Sequence, residues 1–134
     1  MPREAIYCAL LSGISAAIIC QIFFWVFKPW INRVSNLPSR NLGGVPGYVT
    51  GFIESFAFGV AAPIAPSEVG MAGLAWLALK LLPDWQLVST IADPAAREQH
   101  GNYRFKGLVM GFTNLVLAAG IGYVVFSFCT EGLR

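Results

Sequence analysis

The stretch AIYCALLSGISAAIICQIFFWVF, residues 5–27, runs for 23 residues without a single charge. A helix needs about 20 mostly apolar residues to cross the hydrocarbon core of a bilayer, so this segment is long enough to span. It closes on Phe23, Phe24, Trp25 and Phe27, with Trp30 just beyond. Aromatic side chains of this kind gather at the membrane–water interface. A cleaved signal peptide has a shorter apolar region and small residues at its cleavage site. The length and the bulky end of this run read as a retained helix.

The rest of the chain belongs with it. Of 134 residues, 56% are apolar and 12% charged, and the mean hydropathy is +0.62. An ordinary soluble domain carries about 25% charged residues; at half that share the chain cannot cover a water-facing surface. Cys8, Cys20 and Cys129 are too scattered to form the framework of a small disulfide scaffold. Nucleic-acid binding is excluded by a net charge of only +2 with no basic run, and disorder by the apolar content.

Three further spans are expected. The second runs over 47–64, entered through Gly43, Gly44 and Pro46 and left through Pro63 and Pro66. The third covers 67–82, with Ser67 as the cap of a helix that begins at Glu68 and ends before Pro83. At 1.5 Å per residue it is only about 24 Å long. The fourth runs over 107–128. The fold class is therefore an all-α membrane protein, a four-transmembrane-helix bundle forming one integral domain over 1–134. Lys28, Arg33, Arg40, Lys80, Arg97, Arg104 and Lys106 fall on one side, against Arg3 and Arg134 on the other. The cation-rich side is cytoplasmic by the positive-inside rule, which puts both termini on the non-cytoplasmic side.

Within the spans, small residues line up. Cys8, Ala9, Ser12, Gly13, Ala16, Ala17 and Cys20 form a stripe in the first; Gly47, Gly51, Ser55 and Gly59 recur at every fourth position in the second. Gly107, Gly111, Asn114, Ala118 and Gly122 share a face of the last. Such stripes let membrane helices approach closely, either within the chain or against a second copy or partner. The cysteines read as small apolar packers within these stripes.

Glu54 lies about 10 Å inside span two, where a carboxylate is expensive and marks a function or a pair. Lys80 is its natural partner, because the two lie at nearly equal distances from the turn at Pro66. The pair either fixes the register of the hairpin with Lys80 reaching toward the headgroups, or leaves Glu54 to carry a proton or cation, or leaves it to dock on a partner. Gln21 and Asn114 read as interhelical hydrogen-bonding groups, and Glu68 as a favourable charge at a helix start. Asp93 and Pro94 open a short surface helix that reaches His100 and is closed by Gly101.

Chemical machinery is scarce. No phosphate-binding loop, zincin or nucleophile-elbow motif occurs. Ser35, Ser39 and Ser89 have no local base, and His100, Asp84 and Asp93 are the only histidine and aspartates. An enzyme would need a polar pocket near Arg40, Asp93, His100 and Arg104. No catalytic residue, cofactor or metal is expected.

Four short spans with one intramembrane acid resemble the small multidrug-resistance carriers in architecture, although their acid lies in the first span, where this chain has none. Gly51-Phe52-Ile53-Glu54, Lys80, Arg97 and Tyr103 before a Gly-rich last span resemble, over roughly 44–122, an uncharacterised group of small bacterial multi-pass membrane proteins. Their Gly-x-x-Glu-Arg becomes Glu54-Ser55 here, and their Gly-Thr at the last span becomes Gly107-Leu108. The resemblance implies a bacterial cytoplasmic membrane and no particular activity. The expected function is a non-enzymatic packing or accessory subunit, or a homo-oligomer, with the lipid bilayer and a membrane protein as partners. The alternative is a proton- or cation-coupled carrier of small or lipid-like molecules using Glu54.

Overall fold

The described residues form four helices: α1 (Arg3–Ser35), α2 (Gly47–Ile64), α3 (Pro66–Ser89) and α4 (Pro94–Gly132). The computed structural model describes residues 3–35, 47–89 and 91–132, with side chains described at 3–30, 48–80 and 91–132. Gly43, Gly44, Pro46, Ser39 and Arg40 lie outside the described residues, as do the side chains of Arg33, Ser35, Asp84 and Ser89. Two helices, α1 and α4, are long and apolar enough to cross a membrane, and α2 is a shorter apolar helix.

The bounds of α2 are those the sequence predicts, and the other helices are longer than expected. Pro29 lies inside α1, and α3 passes through Pro83 to Ser89. A proline removes one backbone hydrogen bond, that to the carbonyl four residues back, and a long helix packed on its neighbours tolerates the loss. The predicted short surface helix, with His100 near its end and Gly101 closing it, is the first part of α4, which continues without a break. Nothing lies within 4 Å of a side chain placed at Gly101; no packing forces a stop there.

Local chemistry explains the helix starts. Asp93 caps α4, its Oδ1 accepting the Ala95 N–H at 3.1 Å, and Pro94 takes the first position, where its missing N–H is not needed. The start of α3 departs from expectation. Ser67 is not its cap: Pro66 is already helical, and the Ala65 carbonyl accepts the N–H groups of Glu68 and Val69. The Ser67 hydroxyl turns instead to Glu68 Oε2 at 2.7 Å. One non-helical residue, Ala65, thus separates α2 from α3.

Contacts run antiparallel between α1 and α2 and parallel between α2 and α4, giving an up-down-up-down order. The helices α1, α2 and α4 pack mutually, and α3 leans on α4 and α2. Three glycines set the closeness of the first three. A Cβ at Gly122 would run into the Gly59 backbone, and one at Gly59 would lie 2.6 Å from Ala16 Cβ and 3.1 Å from Gly13 Cα. The Gly59 carbonyl faces Gly122 and also lacks its usual helical donor, since the residue four positions on is Pro63. Two reciprocal fits seat α3: Leu115 lies over Gly73, and Leu77 over Gly111.

The interior is made of small groups. Cys8, Ser12, Ala16, Ala17, Ser55 and Ala118 are fully buried, whereas Trp25 (80% exposed), Met71 (74%) and Phe128 (72%) point outward with many Ile, Leu and Val side chains. Cys8 and Cys129 are not separate packers, as the sequence suggests: they form a disulfide between α1 and α4, their Cα atoms 5.7 Å apart. Their sequence separation of 121 hides the pairing, which arises because the start of α1 lies beside the end of α4.

The glycine contacts give a direct test. Gly122→Ala must push the α2 backbone away, so it is expected to destabilise by about 1–3 kcal/mol, the usual range for overpacking. Gly120→Ala enters open space and is expected to be neutral or stabilising by up to about 1 kcal/mol through helix propensity. Thermal unfolding of both variants in the same detergent decides; equal melting temperatures would contradict the close approach.

Candidate functional site

Among the described residues, the buried polar groups are Ser12, Glu54, Ser55, Asn114 and Arg104. Glu54 and Ser55 are consecutive in α2, so their side chains leave the helix about 100° apart. Ser55 faces the seam with α4 and α1, and Glu54 faces α3.

Toward α3, Lys80 Nζ lies 2.6 Å from Glu54 Oε1. The carboxylate side chain is 10% exposed and the lysine 45%, so the lysine stem lies along the helices while its head bridges the pair from the open side. The contact is both an ion pair and a charge-assisted hydrogen bond, the stronger type. It joins α3, the least buried helix, to the rest of the structure.

Toward the seam, Ser55 Oγ lies 2.7 Å from the Gly51 carbonyl and 2.9 Å from Asn114 Oδ1. The one hydroxyl proton can serve only one of these two acceptors at a time. Cys20 of α1 adjoins the same serine. Three helices therefore meet at a small polar junction inside an otherwise apolar seam. Nearer the start of α2, Gln21 Nε2 donates to the Tyr48 carbonyl at 2.7 Å. Several other hydroxyls in the helices bond their own backbone: Ser12 to the Cys8 carbonyl, Thr113 to Val109 and Ser127 to Tyr123. Serine and threonine within helices commonly donate back to the carbonyl four residues earlier.

The small positions divide into classes. Gly59, Ala118 and Gly122 are buried between helices, Gly111 takes Leu77, and Gly51 faces the Gln21 amide. Gly107 differs from the sequence expectation: nothing lies within 4 Å of it, because its side of α4 is open. The surroundings of Gly47 lie outside the described side chains.

Of the residues named for a polar pocket, Arg40 lies outside the described residues, and Asp93 and Arg104 are not adjacent. Asp93 is occupied as a helix cap, Arg97 donates through Nε and Nη2 to the Ile91 carbonyl, and Arg104 lies eleven residues, about 16 Å, further along α4 than Asp93. No group of three or more His, Cys, Asp or Glu is placed to hold a metal among the described residues. Sequence reasoning counted Arg104 as one of the cytoplasmic cations and as a member of a possible surface pocket, yet it is 9% exposed. The signal was its spacing: 104, 107, 111, 114, 118 and 122 continue one face at steps of three and four.

No family model, curated protein or solved structure matches the chain.

A mutant cycle tests the pair. Glu54→Gln and Lys80→Met each leave one charge without its partner. Each is expected to destabilise by about 1–3 kcal/mol, below the usual range for fully buried pairs because Lys80 is half exposed. The double variant is expected to recover part of that loss. Strictly additive losses in chemical denaturation would show that the two groups do not act together.

Proposed function

We propose that the chain is a four-span integral membrane protein with both termini on the non-cytoplasmic side. It acts as a non-enzymatic packing or accessory subunit, assembled as a homo-oligomer or beside another membrane protein. The observation that carries this reading is the inverted distribution of size and polarity. Large apolar side chains cover the outside, while the inside holds glycine, alanine, serine and cysteine. Water would oppose that arrangement, because the largest apolar groups gain nothing from folding. In a bilayer it is favourable, because helices associate there by close backbone packing.

Two independent features support the orientation. The sequence puts seven cations in the segments on one side of the expected spans, and the Cys8–Cys129 disulfide joins the segments at the opposite side. Disulfides persist in oxidising compartments and are rare in the cytosol, so the chemistry of the termini agrees with the charge bias.

Packing favours a subunit over the carrier alternative. Along the seam of α1, α2 and α4 the backbones touch, leaving no side-chain-sized gap at Gly13, Gly59 and Gly122. The carboxylate that would couple transport is held by Lys80. The likeness of Gly51–Glu54, Lys80, Arg97 and Tyr103 to small bacterial multi-pass proteins fits the same reading and adds no activity to it.

Topology and assembly are tested together. With Cys8 and Cys129 kept, a cysteine placed at Pro2 is expected to react with a membrane-impermeant maleimide in intact cells, and one placed at Ala96 only after permeabilisation. The reverse pattern would invert the protein. Native mass spectrometry from lipid nanodiscs is expected to show more than one chain per particle; a strict monomer would count against the subunit reading. A proton-driven flux into liposomes that Glu54→Gln abolishes would establish the carrier instead.

A further inference from the structure

The ion pair between α2 and α3 lies deep along the helices. Gly59 of α2 meets Gly13 and Ala16 of α1, and Gly51 meets Gln21. Glu54 falls between these contacts, level with about Ile18, nine residues inside Phe27, where the charge-free run of α1 ends. That is about 13 Å along the helix. A helical side chain leans toward the start of its helix, so the carboxylate itself lies roughly 10 Å inside that end.

Lys80 reaches inward to meet it. Glu54 is eleven residues before Ala65, the residue between the two helices, and Lys80 fifteen after. The Lys80 backbone is therefore about 6 Å nearer the cation-rich end than that of Glu54, yet its Nζ lies 2.6 Å from Glu54 Oε1. The side chain runs into the span and not out toward the headgroups, the course a lysine stem otherwise favours.

Neither member of the pair is saturated. An ammonium carries three donors, and the one partner of Lys80 among the described residues is Oε1; Glu54 Oε2 accepts nothing from them. The Lys80 side chain is 45% open. Ionisable groups within a membrane face a bundle interior or a polar partner, and lipid tails offer neither donor nor acceptor. The open half of this pair therefore calls for cover by protein.

The face around the pair fits a second copy of the chain. On α3, Ala72 and Trp76 lie on the side of Lys80 away from Leu77, which packs on Gly111 of α4. On α2, Ile53 and Ala57 lie on the side of Glu54 away from Ser55 and its seam with α4. All four are exposed, and the two alanines permit close approach beside the charges. We infer that this outer α2–α3 face, centred on Glu54 and Lys80, is the contact between two copies in the membrane. A two-fold contact sets the same patch against itself, so the patch must be self-complementary, and this one offers spare donors and a spare acceptor with no net charge. An axis along the membrane normal brings both pairs to one depth. There each Lys80 donates to its own Glu54 and to that of the other copy, and four charges alternate in a closed ring. The inference rests on the membrane-spanning reading and names the interface of its homo-oligomer.

Complementation between variants tests the ring. The full chain, tagged with donor or acceptor dyes at its carboxyl end, is diluted stepwise in phosphatidylcholine liposomes and its association followed by energy transfer. Glu54→Gln and Lys80→Met are each expected to associate more weakly than wild type. Mixed together, they are expected to associate about three- to tenfold more tightly than either alone, the range of one interhelical hydrogen bond in a bilayer. The mixture regains one Lys80–Glu54 contact between chains while neither chain has one within itself, so a pair that only braces the hairpin gives no such recovery. In the wild-type background, Ala57→Cys or Ala72→Cys is expected to cross-link two chains on mild oxidation. Val116→Cys, exposed on the outer side of α4 at a similar level, is expected not to.

The interface is overturned if the mixture associates no better than its components, or if chains cross-link through Val116→Cys and through neither alanine position. Wild type that still associates in that case keeps the homo-oligomer and moves its contact elsewhere. Wild type that stays monomeric at every dilution overturns the interface and the homo-oligomer together. If Glu54→Gln or Lys80→Met fails to fold, the three cysteine variants decide by the same criterion.

Discussion

The close approach of the Gly59 and Gly122 backbones is the constraint on which the rest of this structure depends. At that point two helices are separated by no side chain at all, and Gly13 brings the third to the same place. Dispersion falls steeply with distance, so a seam of bare backbone and small side chains gains contacts that bulky residues would hold apart. This closeness also brings Ser55 within reach of Asn114 and the start of α1 beside the end of α4. The polar junction and the disulfide are consequences of helices already drawn together.

Much of this could be read from the residues because the code for close packing is local. A small side chain every third or fourth position identifies both the helix and the face it hides, and the stripe from Cys8 to Cys20 is the buried face of α1. Glu54 and Lys80 were legible as neighbours for a related reason: two residues at equal distances from a tight turn meet across an antiparallel hairpin. What escaped depended on contacts that local pattern does not encode. Cys8 and Cys129 pair through the arrangement of whole helices. The passage of α3 through Pro83 and of α4 through Gly101 shows that a proline or glycine inside a long helical run need not end it.

The four helices are not equivalent. The first, second and fourth form the tightly closed unit, covalently tied at one end by the disulfide. The third is held by two leucine-on-glycine fits and one ion pair with a half-exposed lysine. Its outward side carries Met71, Leu74 and Leu79, all well exposed. Local stability follows the density of buried contacts, so α3 is the element whose position a neighbouring molecule can most readily alter.

The buried charges complete the argument, because Glu54 and Arg104 are treated oppositely. Glu54 meets a cation from its own chain, at the point where α3 needs an attachment; its charge is used to hold the fold together. Arg104 continues the same small-residue face of α4, five turns below the closest helix contact, yet its guanidinium nitrogen meets no acceptor.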